Sequence, residues 1–244
     1  MIDLHLIGIG TGNPDHLTGE ARRAIAQADL FLVPHKPGKS DLADLRTQII
    51  ADVRDDAKIA LFDMPVRDDS LPYLARVDAW HDEIARIWAD TIAAHPDART
   101  VALLVWGDPS LYDSTLRIAA RLQPAPRLHV VAGITSVQAL TAAHAIPINT
   151  LNAPVTISTG RRLRDHGWPQ GCETLVVMLD GECTFQTLDG DAYDIWWGAY
   201  LGMPEQILEA GRLSDVSARI IKRRAEARAA HGWIMDTYLL RLRA

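Results

Sequence analysis

Residues 6–18 read Leu-Ile-Gly-Ile-Gly-Thr-Gly-Asn-Pro-Asp-His-Leu-Thr, and the reading of the glycines that follow the apolar run decides the fold. A strand that breaks into glycines and then hands the chain to a helix is the first half of a βα unit. Residues 18–28 supply that helix: Thr18 is a plausible N-cap, and Leu17, Ala21, Ala24, Ile25 and Ala28 share one face. Residues 30–33 (LFLV) form the next strand, so the unit is βαβ. The pattern continues outward. Strands are expected at 4–9, 101–106 (VALLVW) and 128–132 (LHVVA). A long helix is expected at 73–94, where Leu74, Val77, Trp80, Ile84, Ile87, Trp88 and Ile92 recur at spacings of three and four and place both tryptophans in a core. A helix at 135–145 is followed by Ile146 to Pro154, a stretch of prolines and asparagines without periodicity that suits a linker. Beyond it, strands are expected at 154–159, 174–179, 194–200 and 233–240, with a basic helix at 214–230. The expected architecture is two α/β domains, residues 1–148 and 153–244, with a cleft between them as the default ligand site.

Composition narrows the function classes. With 244 residues and 48% hydrophobic content, the chain can bury a core without disulfides or metals. Its two cysteines, Cys172 and Cys183, fall outside any C-x-x-C frame, so no metal site is expected and a reducing cytoplasm fits. Asp3 and His5 stand where a signal peptide would be basic, and no apolar run approaches a membrane span. A formal charge of −6 disfavours nucleic acid as a partner, so any anionic ligand must meet local arginines or lysines.

Gly8, Gly10 and Gly12 invite a dinucleotide reading, but the spacing is G-x-G-x-G instead of G-x-G-x-x-G, and Pro14 fixes a loop where a Rossmann helix would have begun. The second strand ends in Val33-Pro34-His35-Lys36, with no acid for a ribose. A P-loop needs Gly-Lys-Ser/Thr, which is missing here. An ordinary tight turn requiring glycine torsions is the other reading of these residues.

Three further segments repeat the strand-glycine-polar pattern. In LLVWGDPSLYDST (103–115), Gly107 lets backbone approach a ligand, Asp108 can cap a helix carrying Pro109 in its first turn, and Tyr112 would project one turn further into the same mouth. In VVAGITSVQAL (130–140), Thr135 or Ser136 opens a helix whose free amides attract acceptors. In TLVVMLDG (174–181), Met178 either fills the core or packs on a flat base.

Taken in order, LIGIGTGNPDHLT, LLVWGDPSLYDST, VVAGITSVQAL and LVVMLDG resemble the motifs of the tetrapyrrole methylases, S-adenosylmethionine-dependent enzymes that methylate cobalamin and sirohaem ring precursors. VWGDPSLYDST, VTISTGRRL, WWGAYLGMPEQIL and GWIMDTYLLR look most like the members that also expel an acetyl group. The resemblance implies two α/β domains, a homodimer, a tetrapyrrole substrate and S-adenosylmethionine as cofactor. Cofactor contacts would come from Gly10, Thr11 and Gly12, from Trp106, Gly107, Asp108 and Leu111, from Thr135 and Ser136, and from Met178, Tyr200 and Leu201. The sequence departs from the family at Thr11 and Asn13, where proline and aspartate are usual, and at Val177-Met178-Leu179, where Tyr-Met-Gly is usual. For acetyl removal, His35 is the candidate base and Tyr112 the candidate oxyanion donor, with His144 a second choice of base and Asp108 a loop organiser near the substrate. Lys36, Arg161 and Arg162, with Arg164 beside them, are candidates for the ring carboxylates, solvated surface charge being the alternative.

Overall fold

The computed structural model describes residues 2–35 and 40–243. The chain divides into two units, one running up to Thr135 and the other from Ser136 onward.

The first unit runs β1 (Asp3–Gly8), α1 (Gly19–Gln27), β2 (Leu30–His35), α2 (Ser40–Ala51), β3 (Ile59–Asp63), α3 (Tyr73–Ala93), β4 (Thr100–Val105), α4 (Thr115–Ala119) and β5 (Arg127–Val131). Its five strands are all parallel, in the order β3-β2-β4-β1-β5. Strand alternation sorts the core into two layers. Leu4, Leu6, Leu30, Leu32, Val101 and Leu103 pack with Ile84, Ala85 and Trp88 of α3 and Ile118 of α4. Ile7, Phe31, Val33, Ala102 and Leu104 face the other way, onto Ala21 and Ile25 of α1 and Ile49 and Ile50 of α2. Adjacent strands β1 and β4 therefore send their outgoing helices over opposite faces, which opens a crevice at their carboxyl ends. Thr18 caps α1 as the sequence suggests, its hydroxyl accepting from the Ala21 amide at 3.0 Å. Trp88 is buried, whereas Trp80 is only partly so and donates its indole N–H to the Pro65 carbonyl at 2.8 Å.

The second unit runs α5 (Ser136–Ala143), β6 (Val155–Thr159), α6 (Gly160–His166), β7 (Thr174–Met178), β8 (Tyr193–Ala199), β9 (Ile207–Arg212), α7 (Leu213–His231) and β10 (Asp236–Leu242). Its mixed sheet has the order β6-β7-β10-β8-β9, with only β6 and β7 parallel. The unit boundary falls before α5, not in the 146–154 stretch. The cause is packing: Leu140 of α5 lies so close to β8 that a Cβ on Gly198 would sit 2.9 Å from its side chain. The basic helix α7 is tied to the sheet by its own arginines. Arg219 and Arg223 both reach the buried Glu209 of β9 at 2.7 Å, and Arg224 reaches Asp236 of β10 at 2.8 Å.

Two local expectations need correction. Asp108 does not start a helix. Gly107 and Tyr112 both hold positive φ (64° and 50°), which keeps residues 107–114 non-helical until α4 begins at Thr115. The last strand begins at Asp236 instead of residue 233, because Gly232 ends α7 in the left-handed region and Trp233 and Ile234 are used as coil packed on the core. No helix among the described residues is long and apolar enough to cross a membrane.

Candidate functional site

At the carboxyl ends of β1, β4 and β5, three backbones touch with no side chain between them. A Cβ on Gly8 would lie 2.6 Å from the Gly133 nitrogen and 2.9 Å from the Gly107 carbonyl oxygen, and one on Gly133 would lie 2.0 Å from that same oxygen. Beyond this contact, Gly10 and Gly107 form an isolated antiparallel bridge, with Gly107 N–H donating to Gly10 O at 2.7 Å and Gly10 N–H to Gly107 O at 3.2 Å. Asp108 completes the link. One carboxylate oxygen accepts from the Gly133 amide at 2.8 Å, and the other accepts from the Ser110 amide at 2.8 Å and from the Ser110 hydroxyl. Burial alone would raise the Asp108 pKa, but these donors outweigh it and leave the carboxyl below its ordinary value. Asp108 thus ties its own turn to the loop after β5, and does so without capping a helix.

The loops carrying Gly10, Thr11 and Gly12, then Trp106, Gly107, Asp108 and Leu111, and then Thr135 are therefore brought together. A Cβ on Gly107 would meet the Thr135 Cα at 3.7 Å. Thr11 is half-buried, with its hydroxyl 3.0 Å from His16 Nδ1. After Gly12 the chain makes a short 3-10 turn, Pro14–His16, in which the Asn13 side chain accepts from the Asp15 amide. That turn occupies the place where a dinucleotide site would present its helix. The Trp106 indole nitrogen is buried without a hydrogen-bond partner among the described residues, a donor that fits a polar group of a bound cofactor.

Two features of this region had no sequence signal. Arg46 of α2 lies under Trp106, its guanidinium carbon 5.0 Å from the ring centroid and its Nε donating to the Leu104 carbonyl at 3.1 Å; burial lowers its pKa to about 10. His35, at the end of β2, has a partner in Asp63 at the end of β3, Nδ1 to Oδ1 at 2.8 Å. A histidine whose Nδ1 faces a carboxylate keeps Nε2 for proton transfer. Tyr112 is 43% exposed and held at φ 50°, so it leaves the loop from a strained position instead of from the first turn of a helix. Lys36 lies outside the described residues.

In the second unit, Met178 ends β7 half-buried, and Ser136 opens α5. Tyr200 and Leu201 follow β8, and both are buried. The Tyr200 hydroxyl donates to the Trp233 carbonyl at 2.6 Å, so that side chain is committed to the core and a ligand contact there falls to backbone. Arg161 and Arg162 stand exposed in the first turn of α6, whose N-cap Thr159 accepts from the Arg162 amide. Arg164 is paired with Glu182 at 2.7 Å and Asp165 at 3.0 Å. His144 Nε2 donates to the Trp197 carbonyl at 3.0 Å, which fixes the ring against β8. Among the described residues, no group of three or more His, Cys, Asp or Glu side chains is placed to hold a metal ion.

A parallel sheet whose carboxyl-end loops meet through glycines is followed in sequence by a mixed-sheet unit. Residues 3–217 match the family model for tetrapyrrole (corrin/porphyrin) methylases, and the chain belongs to that family. Among its relatives is the precorrin-6A synthase [deacetylating] of Sinorhizobium sp., 45% identical across 97% of this chain and 94% of that protein. The crystal structure of a cobalamin synthesis related protein (CobF) from Corynebacterium diphtheriae superposes with a TM-score of 0.85 at 38% identity, covering 99% of each chain. A uroporphyrin-III C-methyltransferase from Thermus thermophilus, solved with S-adenosyl homocysteine, shares the fold at a TM-score of 0.62 and 19% identity, over 98% of this chain and 96% of that one.

Proposed function

We propose that the chain is an S-adenosylmethionine-dependent C-methyltransferase that converts precorrin-5 to precorrin-6A, methylating C-1 and releasing the acetyl group as acetate. The observation that carries this reading is the full-length likeness to a deacetylating precorrin-6A synthase. S-adenosylmethionine supplies an already activated methyl group, so the protein's part in that step is to hold the accepting carbon in line and exclude water. The residues that hold the cofactor are those of the three loops at Thr11, Asp108 and Thr135, with Ser136, Met178 and the backbone at Tyr200 and Leu201. Acetyl removal requires a water to attack the acetyl carbonyl. His35, oriented by Asp63, takes the proton from that water at Nε2, and the Tyr112 hydroxyl donates to the developing oxyanion; collapse of the adduct breaks the bond between the acetyl carbon and the ring, acetic acid leaves, and the electron pair stays on the ring carbon that accepts the methyl group. Arg161, Arg162 and Lys36 meet ring carboxylates. The working form is a homodimer in the cytoplasm, as the family resemblance implies.

Incubation with methyl-labelled S-adenosylmethionine and precorrin-5, followed by mass spectrometry, tests the reading. The expected product has gained one labelled methyl group and lost one acetyl group, with acetate appearing in equal amount. Methyl gain with the acetyl group retained moves the assignment to another precorrin C-methyltransferase of the same family.

A further inference from the structure

We infer that Leu179 is a specificity-determining residue for the substrate, an apolar side chain presented to the face of a flat ring by a backbone that is strained and locked in place. The inference rests on the reading of the substrate as a tetrapyrrole.

Leu179 follows β7 directly, with φ 54° and 67% of its surface exposed. A leucine in the left-handed region is disfavoured relative to glycine, and an exposed one regains nothing by packing. The neighbouring residues hold it there. On one side Val177 and Met178 are fixed in the sheet, Met178 in register with Thr159 of β6 and Val177 with Tyr238 of β10. On the other, the buried Asp180 carboxylate accepts from the Thr184 amide at 2.6 Å, the Thr184 hydroxyl at 2.9 Å, the Glu182 amide at 3.1 Å and the Tyr238 hydroxyl at 2.6 Å. The Asp180 carbonyl accepts from Arg224 at 3.1 Å. Leu179 is therefore caught between two fixed neighbours and cannot relax.

The same carboxylate sets the start of α6. A Cβ on Gly160 would lie 2.4 Å from it, so the helix that carries Arg161 and Arg162 begins against Asp180 with no room for a side chain. Because β6 and β7 are parallel and Thr159 is opposite Met178, the two exposed arginines and Leu179 leave the sheet at the same end. An exposed apolar side chain and arginines leaving a sheet at the same end match a planar, apolar macrocycle with carboxylates on its rim. Strain kept at an exposed position is accounted for when the side chain has a ligand to meet.

Leu179→Gly separates strain from recognition. The variant should melt at a higher temperature than the parent, since glycine adopts φ 54° freely. Its KM for precorrin-5 should rise at least about tenfold, with S-adenosylhomocysteine affinity unchanged. Leu179→Met should restore KM while remaining no more stable than the parent. A parallel fluorescence titration with uroporphyrin, a flat ring rimmed by carboxylates, reads binding without turnover; the Gly variant should bind it more weakly than the parent. An unchanged KM and unchanged uroporphyrin affinity in the Gly variant, or a lower melting temperature, overturns the inference. If the parent binds uroporphyrin but does not methylate precorrin-5, the assigned reaction has failed and the uroporphyrin comparison still decides the role of Leu179.

Discussion

Gly133 has the least room of any residue at the candidate site. A methyl group there would sit 2.0 Å from the Gly107 carbonyl oxygen, a backbone atom that cannot swing aside as a side-chain tip can. Gly133→Ala is expected to destabilise the first unit by about 1–3 kcal/mol, the usual range for overpacking, and to abolish thermal stabilisation by S-adenosylhomocysteine. Gly19→Ala is the matched control. Its new methyl would approach only the tip of Arg23 at 3.5 Å, at the first residue of α1. It should be neutral or stabilising by up to about 1 kcal/mol. Urea denaturation of the pair gives the comparison; equal midpoints would mean the three-glycine contact is not tight in solution. From the sequence, Gly10, Gly12 and Gly107 were legible as turn residues. The roles of Gly8 and Gly133 were not, because a backbone-to-backbone contact leaves no mark on hydropathy or spacing.

At the scale of elements, α7 shows what a run of arginines does when its face packs on a sheet and not in solvent. Arg224 and Asp236 are both nearly buried, at 11% and 9% exposure, and the Trp197 indole donates to the same carboxylate at 3.0 Å. Arg224→Met leaves that carboxylate with one neutral donor in a buried setting, so the expected loss is about 3–5 kcal/mol. Pairing it with Asp236→Asn should recover part of the loss, and a double-mutant cycle by urea denaturation measures how much; strictly additive effects would show the pair to be uncoupled. The elements legible from sequence were those with a clear apolar run or stripe: β1, β2, β4, β5, β6, β7, β8 and β10, and the helices α1, α3, α5 and α7. Those that went unread have physical reasons. β3 is an edge strand with only Ala60 and Phe62 buried, α6 (GRRLRDH) buries little besides Leu163, and α2 shows no one-sided apolar stripe, while in β9 a buried Glu209 stands where a strand pattern requires an apolar residue.

Across the whole molecule, burial favours the neutral form of different groups in the two units: imidazoles in the first, a thiol and a phenol in the second. His5 and His81 are in the first unit. Burial lowers both pKa values, aided by His129 for His5 and by Arg121, Arg117 and Arg67 for His81. A histidine kept neutral by the fold supports stability above its ordinary value of 6.5 and loses that support as pH falls through the lower folded value. Cys183 and Tyr238 are in the second unit. Burial pushes the Cys183 thiol from 9.0 up to about 11, and burial with the Asp180 carboxylate raises Tyr238 well above its ordinary value. Their support is complete below those ordinary values and fades as pH rises through the folded ones. Hydrogen exchange should therefore show amides of residues 3–131 losing protection first on mild acidification, and amides of residues 136–242 first on alkalinisation. Simultaneous loss in both units at each extreme would contradict this division.

How far the candidate site was legible follows the same logic. Motifs at strand ends pointed to the loops at Thr11, Asp108 and Thr135, which the first unit brings together. Partners supplied by distant elements, such as Asp63 for His35, Arg46 for Trp106 and Asp180 for the Leu179 turn, carried no signature in the linear sequence. The contact among Gly8, Gly107 and Gly133 also constrains how such a chain can change over evolutionary time. Its three backbones leave no room for a side chain, so in the first unit variation that alters recognition is steered to the loop tips beyond it, at positions such as Asn13 and Tyr112, while the seam beneath them has to stay glycine.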